Sequence, residues 1–84
     1  MNEEEKIKVL VVDDSALMRA LISKMVDSQD DIFVAGKAMN GAFALQKIPA
    51  MKPDIIILDI EMPEMNGIEF LKEKERRGIP TPVI

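Results

Sequence analysis

The sequence predicts a doubly wound α/β fold built on a parallel sheet, and two observations lead to this prediction. The aliphatic runs "IKVLVV" and "IIIL" are rich in β-branched residues, as expected of strands that are covered on both faces. Strand-like and helix-like segments alternate three times along the chain, and the start of another strand follows. This alternation favours parallel strands joined by right-handed crossovers.

The first half of the chain contains two strand–helix units. Residues 7–12 are predicted as a strand, and "SALMRALISKMVDS" carries apolar residues at helical spacing after it. The second unit comprises the strand "DIFVAGKA" (31–38) and the helix "NGAFALQKI" (40–48). Asn40 is expected to cap this helix, and Pro49 is expected near its end.

The second half repeats the pattern and then stops. The predicted elements are a buried strand at 54–60, a loop at 61–67, a helix at 68–77 and the start of a fourth strand at 81–84. A doubly wound domain needs at least one more strand and helix. We therefore expect residues 1–84 to be a single domain that is incomplete at its C-terminus, and we expect the isolated chain to self-associate.

Composition limits the function classes that fit this chain. It has 84 residues with 48% apolar content and a net charge of −4, which argues against nucleic-acid binding. It has no cysteine and no histidine, so oxygen atoms would have to hold any metal, which favours magnesium, calcium or manganese. The N-terminus does not resemble a signal peptide and the apolar runs are too short to cross a bilayer. We expect a cytoplasmic protein without membrane insertion.

Three aspartates follow two of the predicted strands. Asp13 and Asp14 end the first strand and Asp59 ends the third, so neighbouring parallel strands would bring the three carboxylates to one crevice. Their mutual repulsion is costly unless a cation compensates it, and Mg²⁺ accepts carboxylate, water and phosphate oxygens. Helix capping explains "DDS" taken alone, but it does not explain why both buried strands end in aspartate.

The placement of these residues suggests a role for each one. Asp59 stands alone at the end of an aliphatic strand, which suits a nucleophile that forms an aspartyl phosphate. Asp13 and Asp14 would hold the cation. The backbone carbonyl of Glu61, just past Asp59, would complete the metal site.

The motifs that carry these aspartates resemble those of a known family. "VLVVDDSALMR" and "DIIILDIEMPEMNGIEFL" resemble the receiver domains of two-component response regulators, which have a flavodoxin-like fold. "DSALMR", "VAGKAMNG", "LDIEMPEMNG" and "PTPVI" are most similar to the N-terminal receivers of chemotaxis protein-glutamate methylesterases. The resemblance extends from Ile7 to Ile84, where the chain would end within the fourth strand.

The resemblance implies a function for the chain and partners for it. The residue matching Asp59 would accept a phosphoryl group from a sensor histidine kinase, Asp14 would bind Mg²⁺ directly, and Asp13 would bind it through water. Glu61 would contribute its carbonyl. The parent protein would carry a C-terminal methylesterase domain, absent from this chain, that acts on chemoreceptors and also deamidates glutamine.

Three alternatives remain open. The chain could be the receiver of another response regulator, such as one with a DNA-binding output domain. It could be a magnesium-dependent phosphohydrolase, with Glu61 as acid/base two positions after Asp59. It could also be a binding module in which the acids only cap helices.

Overall fold

The computed structural model describes residues 6–59 and 67–84 and confirms the predicted alternation. Among these residues, three strands alternate with three helices: β1 (Ile7–Val12), α1 (Ala16–Asp27), β2 (Ile32–Ala38), α2 (Gly41–Met51), β3 (Ile55–Leu58) and α3 (Gly67–Arg76). The predicted loop at 61–67 lies outside the described residues except for Gly67, which the structure places at the start of α3 instead. No helix in the described ranges has both the length and the apolar character needed to cross a bilayer.

The sheet is parallel and β1 lies at its centre. The strand order is β2-β1-β3, and both neighbours pair with β1 in parallel. The four residues Val9–Val12 are at most 2% exposed, which fits a strand whose two faces are both covered. The continuous aliphatic run of the sequence is therefore explained by the central position of β1.

Alternate residues of β1 serve two separate cores, because successive side chains of a strand point to opposite faces. Leu10 and Val12 belong to the core that includes α2 and Phe70 of α3. Val9 and Val11 pack on the other face, where α1 contributes its own apolar residues. The fold is thus two-faced, as a doubly wound sheet requires.

Helix α1 buries less of its apolar surface than the sequence pattern predicts. Val26 is buried and Ile22 is partly buried against the sheet. In contrast, Leu17 and Met25 are both 69% exposed and Leu21 is 48% exposed. The apolar face of α1 is therefore wider than the part of it that packs against the described residues.

The helix starts follow the predicted caps, while one helix end differs from the prediction. The Ser15 hydroxyl accepts a hydrogen bond from Met18 N at 3.2 Å, and Asn40 Oδ1 accepts one from Phe43 N at 2.9 Å. Helix α2 continues through Pro49 to Met51, because a proline in the last turn removes only one donor. Lys52 then ends the helix in the left-handed conformation, with φ of 49°.

The predicted fourth strand is present only as a short bridge beside β3. Val83 pairs with Ile56 in parallel. Ile84 N donates to the Ile56 carbonyl at 2.8 Å, and Ile56 N donates to the Pro82 carbonyl at 2.9 Å. The backbone of β3 therefore has a short partner on its outer side.

Candidate metal centre

The carboxyl ends of β1 and β3 form the candidate site. The two strands are parallel neighbours, so the residues that follow them lie at the same edge of the sheet. Asp59 N donates to the Val12 carbonyl at 2.9 Å. This hydrogen bond extends the pairing by one residue and brings Asp59 beside the start of the β1–α1 connection.

The structure brings Asp13, Asp14 and Asp59 together. Each offers one carboxylate oxygen, and these oxygens lie within 4.8 Å of one another. The three residues line a cavity of about 380 Å³ whose walls also include side chains of α1 and β3. The predicted convergence of the three carboxylates is confirmed in the described part of the chain.

The three aspartates differ in exposure and in how firmly they are held. Asp13 is 7% exposed, Asp59 is half-buried and Asp14 is exposed. Asp13 Oδ1 accepts a hydrogen bond from Ser15 N at 2.9 Å, and Asp13 N donates to the Ala38 carbonyl at 3.0 Å. Asp13 is therefore fixed on both backbone and side chain, whereas the Asp14 carboxylate faces solvent.

Arg19 also holds this turn, a role that the sequence alone did not predict. It is half-buried, and its Nη1 donates to the Asp13 carbonyl at 2.6 Å. Arg19 lies one helical turn after the N-cap Ser15, and Arg19 N donates to the Ser15 carbonyl at 2.9 Å. Its position on the first full turn of α1 is the only signal in the sequence that indicates this contact.

The donor set fits a hard divalent cation. All three side chains provide carboxylate oxygens, which Mg²⁺ and Ca²⁺ prefer, and no thiolate or imidazole exists in the chain. Like charges at this spacing repel each other, and a bound cation would offset that repulsion. The predicted fourth ligand, the Glu61 carbonyl, lies outside the described residues.

One protein family matches the part of the chain that contains the three aspartates of the site. The sequence model described as "Response regulator receiver domain" matches residues 9–84, which include all three aspartates.

Curated relatives resemble the chain closely over part of their length. A protein-glutamate methylesterase/protein-glutamine glutaminase of Treponema denticola is 60% identical over 80 residues, which cover 95% of this chain and 22% of the relative. The protein of the same name from Treponema pallidum is 50% identical over 84 residues, which cover 100% of this chain and 21% of the relative. The chain therefore spans about a fifth of the length of the curated relatives that it matches.

Solved structures share the fold. The response regulator domain of Thermotoga maritima CheB has a TM-score of 0.86 and 50% identity, with 93% of this chain and 57% of that chain covered. The signal receiver domain of the putative response regulator NarL from Mycobacterium tuberculosis has a TM-score of 0.87 and 35% identity, with 94% and 64% covered.

Proposed function

This chain belongs to the response regulator receiver family, and we propose that it is the phospho-accepting regulatory module of a cytoplasmic chemotaxis methylesterase. Asp59 is the phosphoacceptor in this proposal. The observation that carries it is the close approach of the Asp13, Asp14 and Asp59 carboxylates at the carboxyl edge of a parallel sheet.

The chemistry proposed for Asp59 is a phosphoryl transfer. A carboxylate oxygen of Asp59 attacks the phosphorus of a phosphohistidine on a sensor histidine kinase. The new P–O bond forms as the P–N bond breaks, and the electron pair of that bond stays on the imidazole nitrogen. The half-buried position of Asp59 in an open cavity leaves room for a phosphoryl group, and its backbone hydrogen bond to Val12 limits its movement.

Asp13 and Asp14 are proposed to hold Mg²⁺ beside Asp59, with the Glu61 carbonyl as a further ligand. A magnesium ion bound there would neutralise charge on the phosphoryl oxygens during transfer. The exposed Asp14 is the better candidate for direct ligation, because its carboxylate faces solvent. Asp13 is buried and already accepts a hydrogen bond, which suits a ligand that acts through water.

The output of the whole protein is proposed from its relatives. The 60% and 50% identities to protein-glutamate methylesterase/protein-glutamine glutaminases support a C-terminal domain that removes methyl esters from chemoreceptors and deamidates glutamine. Phosphorylation of Asp59 would regulate that domain. A receiver that serves a DNA-binding output is the alternative within the family, and the sequence that follows Ile84 in the parent protein distinguishes the two.

The phosphoacceptor assignment is tested by labelling. The intact protein is incubated with magnesium and radiolabelled acetyl phosphate, and the label is checked for acid stability and hydroxylamine sensitivity. Asp59→Asn should abolish the incorporation. Asp54→Asn is the matched control, because Asp54 lies at the other end of β3 and its Oδ2 accepts a hydrogen bond from Lys8 N that asparagine can keep. Unchanged labelling of Asp59→Asn would exclude the assignment.

A further inference from the structure

A second cavity lies at the carboxyl end of β2, separate from the acidic site. Its volume is about 210 Å³. Its lining consists of Arg19, Lys37, Ala38, Met39, Phe43 and Lys47, and none of these residues lines the cavity of the three aspartates. We call it the basic cleft. It brings together one residue of α1, the end of β2 and the first two turns of α2.

Two of the three cations of the basic cleft, Arg19 and Lys47, are held by backbone carbonyls rather than by carboxylates. Arg19 donates to the Asp13 carbonyl, and Lys47 Nζ donates to the Lys37 carbonyl. Both acceptors are neutral backbone groups, so neither contact is an ion pair. By contrast, Glu73 on α3 forms ion pairs with Arg76 and Arg77, away from the cleft.

The apolar part of the cleft is exposed beside these charges. Met39 is 49% exposed and Phe43 is 44% exposed, although both are large hydrophobic side chains. Ala38 is buried below them. The cleft therefore offers an apolar contact flanked by three cations, in a chain whose net charge is −4.

We infer that the basic cleft binds an acidic segment of a partner protein, with an apolar side chain of that segment against Met39 and Phe43. The carboxylates of the segment would face Arg19, Lys37 and Lys47. A nucleic acid fits less well, because phosphate backbones are bound through many cationic contacts and the chain as a whole is acidic. A long polyanion would also meet the aspartates of the neighbouring site. A short acidic peptide can be confined to the cleft.

This binding needs neither magnesium nor phosphorylation, so it can be measured independently of the proposed function. The probe is a fluorescein-labelled peptide in which glutamates flank one leucine, and its binding to the intact protein is followed by fluorescence anisotropy without magnesium. We expect binding that weakens as the salt concentration rises and that persists in Asp59→Asn. A peptide with lysines in place of the glutamates should not bind.

Substitutions in the cleft test both halves of the recognition. The double variant Lys37→Gln/Lys47→Gln should weaken peptide binding about fivefold, since exposed ion pairs contribute modestly. Lys24→Gln/Lys52→Gln is the matched control, because both lysines are exposed and lie outside the cleft. Phe43→Ala should weaken binding about tenfold through lost apolar contact, while Leu17→Ala on α1 should leave it unchanged.

Several results would overturn the inference. One is equal affinity of the peptide for the native protein and the Lys37/Lys47 variant, and another is an equal loss in the Lys24/Lys52 control. Tighter binding of a single-stranded oligonucleotide, in competition with the peptide, would show that the class of partner is wrong. Thermal unfolding of each variant is measured in parallel. If the double variant does not fold, Lys37→Gln alone carries the test, because in the described residues the Lys37 side chain makes no hydrogen bond.

Discussion

Replacing Asp14 by asparagine should stabilise the metal-free protein and remove most of the stabilisation that magnesium provides. At 4.8 Å, the upper limit of the spacing between these carboxylate oxygens, two unit charges repel each other by about 0.9 kcal/mol in a water-like dielectric. Asp14 is exposed, so this dielectric applies to it, and it repels both Asp13 and Asp59. The substitution removes about 1.7 kcal/mol of repulsion from the folded state. Because Asp13 remains adjacent in the unfolded chain, the net gain should be about 1 kcal/mol.

The effect on magnesium has the opposite sign. At a magnesium concentration of about 100 times Kd, the native protein should gain about 2.7 kcal/mol of unfolding free energy. If the loss of one carboxylate ligand weakens binding about a hundredfold, the same concentration gives Asp14→Asn only about 0.4 kcal/mol. The variant should therefore be more stable than the native protein without magnesium and less stable with it.

Urea unfolding of the intact protein, followed by circular dichroism with and without magnesium, measures both effects. Asp13→Asn is run beside it, because asparagine keeps an acceptor for Ser15 N, and it should retain more of the magnesium effect than Asp14→Asn. Asp30→Asn, an exposed aspartate outside the three-aspartate cluster, controls for a general loss of charge. The reasoning fails if Asp14→Asn keeps the full magnesium effect while Asp13→Asn loses it.

Three further predictions concern the fold. Phe70 is fully buried and is the one large side chain among the buried residues of α3, so Phe70→Ala should cost about 3–5 kcal/mol of unfolding free energy. Phe70→Leu should cost less than about 1.5 kcal/mol. Equal losses in the two variants would contradict this packing role. Lys52 has a φ of 49°, so Lys52→Gly should raise the urea midpoint by relieving about 1 kcal/mol of backbone strain, and a lower midpoint would refute that. Glu73 accepts hydrogen bonds from Arg76 and Arg77, which lower its pKa to about 2. Because the folded pKa of Glu73 lies below its ordinary value, its contribution to the free energy of unfolding is present above about pH 4.5 and is lost as the pH falls towards 2. The difference in urea midpoint between the native protein and Glu73→Gln should therefore shrink over this range. A constant difference would exclude the ion pair as its cause.

The elements of this fold are encoded locally, and most of them were predictable for that reason. The aliphatic run at 7–12 predicts β1 with its observed bounds. Ser15 caps α1, and the predicted cap Asn40 lies immediately before α2. The predicted element boundaries shift by a few residues, as at Pro49, because a proline in the last turn of a helix disturbs little of it.

The sequence was enough to predict which aspartates form the candidate site, because the strands are parallel. Parallel strands end at one edge of a sheet, so the aspartates at the ends of β1 and β3 had to meet once those strands were neighbours. The order β2-β1-β3 makes them neighbours. Alternation along the chain predicts parallel strands, and the flavodoxin-like fold that the family resemblance implies is consistent with this strand order.

The sequence by itself determined the strands, the helices, the helix caps and the three carboxylates at one edge of the sheet. Only the tertiary structure decided that Asp13 is buried while Asp14 is exposed, that Arg19 reaches back to the Asp13 carbonyl, and that Arg19, Lys37 and Lys47 line one cleft. The periodicity of the sequence indicates which face of a helix or strand is apolar, but it does not give the distances between elements. Burial and side-chain contacts depend on how α1, β2 and α2 pack together, and residues far apart in the chain set that packing.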